Sequence, residues 1–424
     1  MTERVAIVDG VRTPFCKQMG AFKDLEADDL GAFCVRELVA RMAVSPSEVA
    51  ELVFGNVLQP PHATNIARVL AIKGGLPQTV PAFTVNRNCA SGMEAIVTAM
   101  TKIQMNHGQI FFAGGTESMS HFPVLFNDEM RNWLWNFTRS KSILQKVKTA
   151  ASFRPSFLKP KLPGISDPIC GLLMGETAEI LVRDFKISRH EQDEFAKMSH
   201  DRASAATEKF AEEIVPIPIG KKFDRIQKID DGIRQGLTLE QLAKLRPVFD
   251  KIAGTVTAAT SSQVTDGAAA VVLMGESKAK SLGIKPLGYI KEWSCAALDP
   301  SRMGLGPAFA IAKILQRTNL KLSDFDLFEI NEAFAAQVIA CIRALDSDTF
   351  CKQKLGMEQK AGLIDFAKLN VNGGAIALGH PVGASGARLV LTLVKELNRQ
   401  GKNLGLASLC VGGGQGEAIV VEVE

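Results

Sequence analysis

A chain of 424 residues, 46% hydrophobic and 22% charged, is long enough for two or three packed units and has the balance of a folded enzyme, which sets aside disordered and fibrous classes. Its formal net charge of +4 is small for this length and argues against nucleic acid as a partner. The eight cysteines hold no Cys-x-x-Cys pair and the six histidines lie away from zinc-ligand spacing, so the thiols read as reduced, in a cytoplasm-like compartment, and no apolar run reaches the ~20 residues of a membrane-spanning helix.

In chain order, "RVAIVDG" predicts a first strand close to the start, with no long apolar signal core before it. A helical period runs from Leu30 to Met42, and "ELVFGNV" from Glu51 is the next strand. Then comes "VNRNCASGMEAI", residues 85 to 96, where Cys89 stands beside Ala90, Ser91 and Gly92 as a turn feeds a helix from Met93 to Met105. A structural cysteine normally has bulky apolar neighbours, whereas free N–H groups at a helix start would stabilise a thiolate. Taken alone, a cysteine in a turn is still more often structural than catalytic.

The strand "IFFAGG" follows, and residues 122 to 164 then break the pattern. Beyond them lie a helix from Arg189 to Phe210 and the strands "AAAVVLM", "LFEI", "GLASLCV" and "EAIVVEV", with a helix from Ala387 to Leu397 ahead of the last two. Strands alternating with helices predict an α/β architecture with mostly parallel sheets. In this late region "NVNGGAIALGHPVGASGAR" sets His380 in glycine-rich backbone suited to close substrate approach. "SLCVGGGQGEA" sets Cys410 at a strand end before three glycines whose N–H groups can face an oxyanion. One histidine and two cysteines in such turns form a constellation.

Two stretches also resemble each other. "CASGMEAIVTAMTKI" and "GASGARLVLTLVKEL" share Ala-Ser-Gly before an apolar helix, and each leads to a strand ending in glycines. The pattern reads as a duplicated core, as small residues that let two helices approach, or as both.

Residues 122 to 164 hold eight basic side chains against Asp128 and Glu129, with Trp133 and Trp135, two of the three tryptophans. Met130, Trp133, Leu134 and Phe137 form an apolar stripe at helical spacing, suited to a groove or an interface. Extending that helix would put Lys141 and Lys148 on the stripe, so a break is expected near Thr138 to Ser142, with a second short helix carrying Ile143, Leu144 and Val147. The segment reads either as a lid over an acyl tunnel with basic groups meeting CoA phosphates, or as a peripheral contact with an anionic membrane or an acyl-delivering partner.

These motifs, with "NEAFAAQ" at 331 to 337, "RTPF" at 12, "GGTESMS" at 114, "MGETAE" at 174 and "GTVTAATSSQVTDGAAAV" at 254, resemble the thiolase family in order and over nearly the whole chain. The resemblance implies two similar α/β halves in a layered core with an inserted loop domain. The first half covers 1–121 and is completed by about 252–286, the loop domain covers 122–251, and the second half covers 287–424. It implies that Cys89 carries the acyl group, His380 activates it, and Cys410 moves the proton at the α-carbon. Asn331, sharing a water with His380, and the N–H groups of Cys89 and Gly412 would stabilise oxyanions; Ser262 would meet the pantetheine amide, with Met174 and Phe334 lining the acyl pocket. Glu332 is read as structural. No metal or cofactor is implied, coenzyme A being a substrate.

The implied reaction is CoA-dependent cleavage of 3-ketoacyl-CoA in fatty-acid β-oxidation. Condensation by an acetyl-CoA C-acetyltransferase is the nearest alternative, and a lipid-binding scaffold without turnover is opposed by the presence of Cys89, His380 and Cys410. A homodimer or dimer of dimers in the cytoplasm, or in the mitochondrial matrix of a eukaryote, is expected. The basic insertion and "KLRPVFDKIAGTVTAA" look most like the β-subunit type that works with a hydratase/dehydrogenase α-subunit. Two departures stand out: Asn331-Glu332-Ala333-Phe334 replaces that type's usual His-Glu-Ala-Phe, and Ala259-Thr260 stands where family members often read Gly-Asn.

Overall fold

Nine strands build the main sheet of the computed structural model, which describes residues 3–161, 166–220, 222 and 224–424. They are β1 (Val5–Arg12), β2 (Glu51–Gly55), β3 (Ala82–Val85), β4 (Ile110–Glu117), β5 (Thr265–Gly275), β6 (Gly288–Ala297), β7 (Leu327–Ile330), β8 (Leu404–Val411) and β9 (Gln415–Glu422). The longer helices are α1 (Ala27–Arg41), α2 (Ile66–Lys73), α3 (Ser91–Gln104), α4 (Asp128–Arg139), α5 (Ile143–Ala151), α6 (Met174–Phe185), α7 (Arg189–Ala205), α8 (Gly306–Thr318), α9 (Ala335–Leu345) and α10 (Ser385–Gln400). The strand order is β7-β8-β9-β6-β1-β5-β4-β2-β3, with the short strand Cys16–Lys17 added beside β5.

Read outward from the middle, β1-β5-β4-β2 and β6-β9-β8-β7 are one series written twice, and they meet where Val5–Ile7 pairs with Gly288–Ile290. The expected two similar halves are therefore present, joined by a short seam. The expectation of a mostly parallel sheet is corrected. Only β2 with β3, β2 with β4, and β7 with β8 run parallel, while every other neighbouring pair is antiparallel. Parallel neighbours require a crossover, which α2, α3 and α10 supply; β8 turns straight back into β9 as a hairpin.

The pleat sorts side chains into layers. Ile110 and Phe112 of β4 join Ala270 and Val272 of β5 beneath Leu30, Val35 and Leu38 of α1. Their neighbours Phe111, Ala113, Val271 and Leu273 face the opposite way, onto Ile96 and Ile103 of α3 and Leu389 and Leu393 of α10. The second half repeats the arrangement with α8 and α9 outside. Both strands β4 and β5 are buried throughout, which is why they read as unbroken apolar and small runs. At the centre, α3 and α10 touch closely: a Cβ on Gly92 would lie 2.8 Å from Gly383 O, and one on Gly386 would lie 2.5 Å from Met93 N. Both readings of Ala-Ser-Gly hold.

The break falls where expected, with α4 ending at Arg139 and α5 starting at Ile143 behind a Ser142–Gln145 capping box. Trp133 stacks on Phe137 at 5.4 Å, meets Phe153 edge-on at 5.2 Å, and donates Nε1–H to Thr149 O at 2.7 Å. The stripe thus faces α5 and forms the hairpin's own core. Positions 162–164 of the predicted segment lie outside the described residues. The helix expected from Arg189 to Phe210 divides at Ala206 into α7 and a single turn, Thr207–Phe210.

Candidate active site

The turn between β3 and α3 is fixed by its own polar side chains. Asn88 takes a left-handed φ of 45°, its N–H donates to Asn86 Oδ1 at 2.9 Å, and its Nδ2 donates to Gly412 O at 2.8 Å. Ser91 Oγ donates to Asn88 O at 2.7 Å and accepts the Arg87 N–H at 2.9 Å, while Arg87 Nε reaches Glu94 at 2.6 Å. Cys89, half-buried in this frame, precedes the first residue of α3 by two positions. Burial pushes its thiol up from the ordinary value; the N–H groups of Gly412 and of Cys89 itself pull it down but do not prevail. The expectation of a thiol acidified by the helix start is corrected: desolvation, with the Glu117 charge, outweighs the backbone N–H groups, and the thiol needs a base.

His380 is such a base. Burial, with Arg388 as the second cause, lowers its imidazole to about 4, so the ring is neutral at pH 7. Nδ1 lies 2.5 Å from Ser385 Oγ, and Ser385 Oγ reaches Pro381 O at 3.1 Å. In the tautomer suited to a base, the serine proton goes to Pro381 O and the imidazole proton sits on Nδ1, donated to Ser385 Oγ. That assignment leaves Nε2 as a bare lone pair, buried and without a hydrogen-bond partner among the described residues.

Cys410 stands near the end of β8, opposite Gly416, and is buried. Burial first, then the neighbouring Cys89 and Cys341, raise its thiol well above the ordinary range. A sulfur whose ionisation Cys89 opposes is close to it, and at pH 7 it is a protonated acid. Asn331 follows β7, whose Ile330 pairs with Ser408 of β8, so Asn331 and Cys410 occupy neighbouring strand ends. Its N–H donates to Ser408 O at 2.9 Å, and both polar atoms of its fully buried side chain lack a partner among the described residues. Cys89, Asn56, Glu117, Asn331 and Cys410 all lie at or just beyond the carboxyl ends of parallel strands, where α/β sheets open a crevice.

An apolar wall adjoins this point. A Cβ on Gly412 would lie 3.6 Å from Met174 Sδ at the start of α6. Phe249 presses on Gly175 and meets Phe334 edge-on at 5.9 Å. Ser262 N–H donates to Ala333 O at 2.9 Å beside the Ser261–Phe334 bridge, and Gln263 O receives the His380 N–H at 3.0 Å, so the Ser262 loop touches both wall and base. The departing pair Ala259–Thr260 lies in a buried turn closed by Thr257 and Thr260.

Glu332 accepts from Ser199 Oγ at 2.6 Å, Asn370 Nδ2 at 2.8 Å and Ile376 N at 3.2 Å, which ties the loop ahead of His380 to α7 as a structural group would. Three residues escaped the sequence reading. Ser385 was visible only as part of a repeat, and Phe249 as one aromatic in a loop. Glu117, an acid closing a fully buried strand, was the strongest unused signal. Its carboxylate receives Asn56 Nδ2 and the N–H groups of Val57, Leu58 and Gly383 at 2.9–3.1 Å, and burial lifts it to about 7.

Residues 5–277 match the family described as "Thiolase, N-terminal domain" and residues 284–423 that described as "Thiolase, C-terminal domain". The 3-ketoacyl-CoA thiolase of Yersinia enterocolitica is 40% identical over 425 residues, spanning 100% of this chain and 97% of the relative. That of Yersinia pestis (strain Pestoides F) is 41% identical over the same shares. Among solved structures, the Bacillus anthracis acetyl-CoA acetyltransferase superposes with a TM-score of 0.86 at 38% identity, covering 99% of each chain. The human mitochondrial 3-ketoacyl-CoA thiolase in complex with CoA gives 0.85 at 37% identity, covering 100% of this chain and 98% of its own.

Proposed function

Because this chain belongs to the thiolase family, we propose that it is an acyltransferase that cleaves 3-ketoacyl-CoA with CoA to acetyl-CoA and a shortened acyl-CoA, the thiolytic step of fatty-acid β-oxidation. The observations that support this reading are the neighbouring protonated thiols of Cys89 and Cys410 beside the Gly412 turn, and a buried, neutral His380 whose loop abuts the start of α3 where Gly383 meets Gly92. His380 Nε2 takes the proton of Cys89, whose sulfur adds to the ketone carbon. The bond to the α-carbon then breaks, Cys410 gives its proton to the departing acetyl-CoA carbanion, and the acyl group stays on Cys89 as a thioester. The Cys410 thiolate takes the proton of the CoA thiol, whose sulfur attacks the thioester and carries the acyl group away, and Cys89 leaves as the thiolate and regains its proton from His380. The N–H groups of Cys89 and Gly412 hold one oxyanion, and Asn331 with His380 holds the other through a shared water.

Met174 and Phe334, with Phe249, line the acyl pocket, and Ser262 meets the pantetheine amide. CoA is a substrate rather than a resident cofactor. Residues 1–121 with 252–286 form one catalytic half and 287–424 the other, with 122–251 as the loop domain. The half-buried edge strand β3 offers backbone groups to a second copy, consistent with a homodimer or a dimer of dimers. A hydratase/dehydrogenase α-subunit is the heterologous partner, in the cytoplasm or the mitochondrial matrix. Acetyl-CoA condensation is the second reading, favoured by the Bacillus anthracis likeness but not by the names of the full-length relatives. CoA-dependent cleavage of 3-ketoacyl-CoAs with short, medium and long chains tests the proposal. Release of one acetyl-CoA per substrate supports it; acetoacetyl-CoA synthesis with no thiolysis at any chain length transfers the chain to the second reading.

A further inference from the structure

Cys89 and Gly412, the two backbone donors at the site, come from opposite halves of the molecule, and one side chain ties them together. Gly412 follows β8, and the two residues after it, Gly413 and Gly414, take left-handed φ of 87° and 76°. Three glycines in a row carry no side chain with which to fix themselves, so the place of this turn depends on what grips it.

Asn88 supplies the grip. Its Nδ2 donates to Gly412 O at 2.8 Å across 324 positions of sequence, while the Gly412 N–H is directed at the sulfur of Cys89. Two consecutive residues of one turn therefore hold Gly412 by its two backbone groups, Asn88 at the carbonyl and Cys89 at the N–H. Asn88 is itself held: its N–H donates to Asn86 Oδ1 at 2.9 Å, and its carbonyl accepts from Ser91 Oγ at 2.7 Å and Ser91 N at 3.0 Å. Its φ of 45° is one that asparagine, aspartate and glycine adopt readily. Arg87 braces the same turn against the second half, with Nη1 3.0 Å from Cys295 Sγ on β6 and 3.3 Å from Gln415 Oε1 on β9. Asn88 is exposed, so its bond to Gly412 competes with water and adds little stability; what it fixes is geometry.

We infer that Asn88 is a positioning residue for the oxyanion hole: its amide holds the Gly412 turn at the spacing where the N–H groups of Cys89 and Gly412 converge on one oxygen. This rests on the thiolase reading for what the hole receives. A neutral amide performs the task without charge, whereas a carboxylate there would face both the Gly412 carbonyl and the developing oxyanion.

Two variants test it. Asn88→Gly keeps the left-handed turn and removes the amide; Asn88→Asp keeps the shape and replaces the donor by an acceptor. In steady-state thiolysis, Asn88→Gly lowers kcat roughly tenfold with the KM for CoA unchanged, a part of the roughly 100- to 1,000-fold that a whole oxyanion donor is worth, and Asn88→Asp lowers it at least as far. The second readout needs no substrate. Iodoacetamide labelling of the Cys89 peptide moves to higher pH in both variants, because the Gly412 N–H no longer steadies the thiolate; Glu117 and Cys410, whose charges also bear on that sulfur, stay in place. Melting temperatures remain close to wild type. Three results overturn the inference: both variants turning over and labelling like wild type; kcat falling only as the folded fraction falls, with the labelling profile unmoved, which leaves Asn88 a structural residue; or the KM for 3-ketoacyl-CoA rising at wild-type kcat, which makes it a substrate contact. If wild type itself shows no thiolysis, the proposed function falls, and the labelling profile alone decides the role of Asn88.

Discussion

Helices α3 and α10 start with the same Ala-Ser-Gly and lean on each other through Gly92 and Gly386, yet their serines do different work. Ser91 spans two backbone groups of the turn that holds Cys89. Ser385 spans one backbone carbonyl and the imidazole of His380. The glycine that follows each serine is required by packing and is therefore the same in both halves. The serine's partner is set by what precedes the helix, and there the halves have diverged into a nucleophile and a base. A duplicated scaffold thus delivers two equivalent positions, and chemistry enters by changing the residue each one grips.

That contrast can be broken experimentally, starting with its largest element. Cys89→Ala should lose turnover on the order of a thousandfold or more, and intact-mass measurement with acyl-CoA in the absence of free CoA should show one acyl adduct on wild type and none on the variant. An adduct surviving on Cys410 would exchange the roles of the two thiols. Cys410→Ala should next keep acyl exchange at Cys89 while cleavage and condensation both disappear; equal loss of all three would refute a separate proton-transfer role.

The packing half of the contrast comes third. Gly92→Ala and Gly386→Ala should each destabilise by about 1–3 kcal/mol through overpacking, read as a shift in urea midpoint, and one variant melting like wild type would deny that the helices are matched. Fourth, Ser385→Ala should lower kcat roughly tenfold with little change in KM, and the imidazole nitrogen chemical shifts of His380 should move away from a pure Nδ1–H form, the proton transfer itself being one of general-base type. Ser91→Ala should instead cost about 1 kcal/mol of stability. If the two alanine variants behave alike, the divergence argued for the serines is wrong.

The last effect is a pH dependence. His380 is held at about 4 when folded against 6.5 for an ordinary histidine. As pH falls below 6.5 the unfolded chain binds a proton that the folded imidazole refuses, so stability drops until about pH 4. His200, also at about 4, adds the same trend and is left in place by His380→Gln. The variant should therefore lose less melting temperature than wild type across that window, and parallel curves would show that His380 is not desolvated.

Much of the architecture was legible, and the exceptions have physical reasons. Strands with both faces buried announce themselves as apolar runs, whereas β6 carries exposed Lys291 at a register shift between Ile290 and Glu292, which breaks its alternation. Strand β3 is four half-buried residues at a sheet edge, too short to show a period. Strand direction left no trace, because a period of two is the same whichever way the neighbour runs. At the site, glycine-rich surroundings drew attention to Cys89, His380 and Cys410, but the raised thiol of Cys89 was not foreseeable from a helix start, since desolvation depends on what the rest of the chain stacks around it. Ser385 and Glu117 act through contacts with distant or looped-back backbone, which spacing along the chain does not reveal.

The sheet order also has a consequence in time. Strand β1 finds its outer neighbour in β5, with Val5 opposite Gly275, whereas β6 to β9 are consecutive in the chain. At roughly 5–20 residues per second of synthesis, the first strand waits on the order of 15–50 s for its mate. During that interval β4, whose entire length is buried in the finished protein, keeps open the edge that β5 will cover. The C-terminal half waits in the same way, because β6 pairs with β9, the last strand made, so each half keeps an open strand edge until its closing strand emerges.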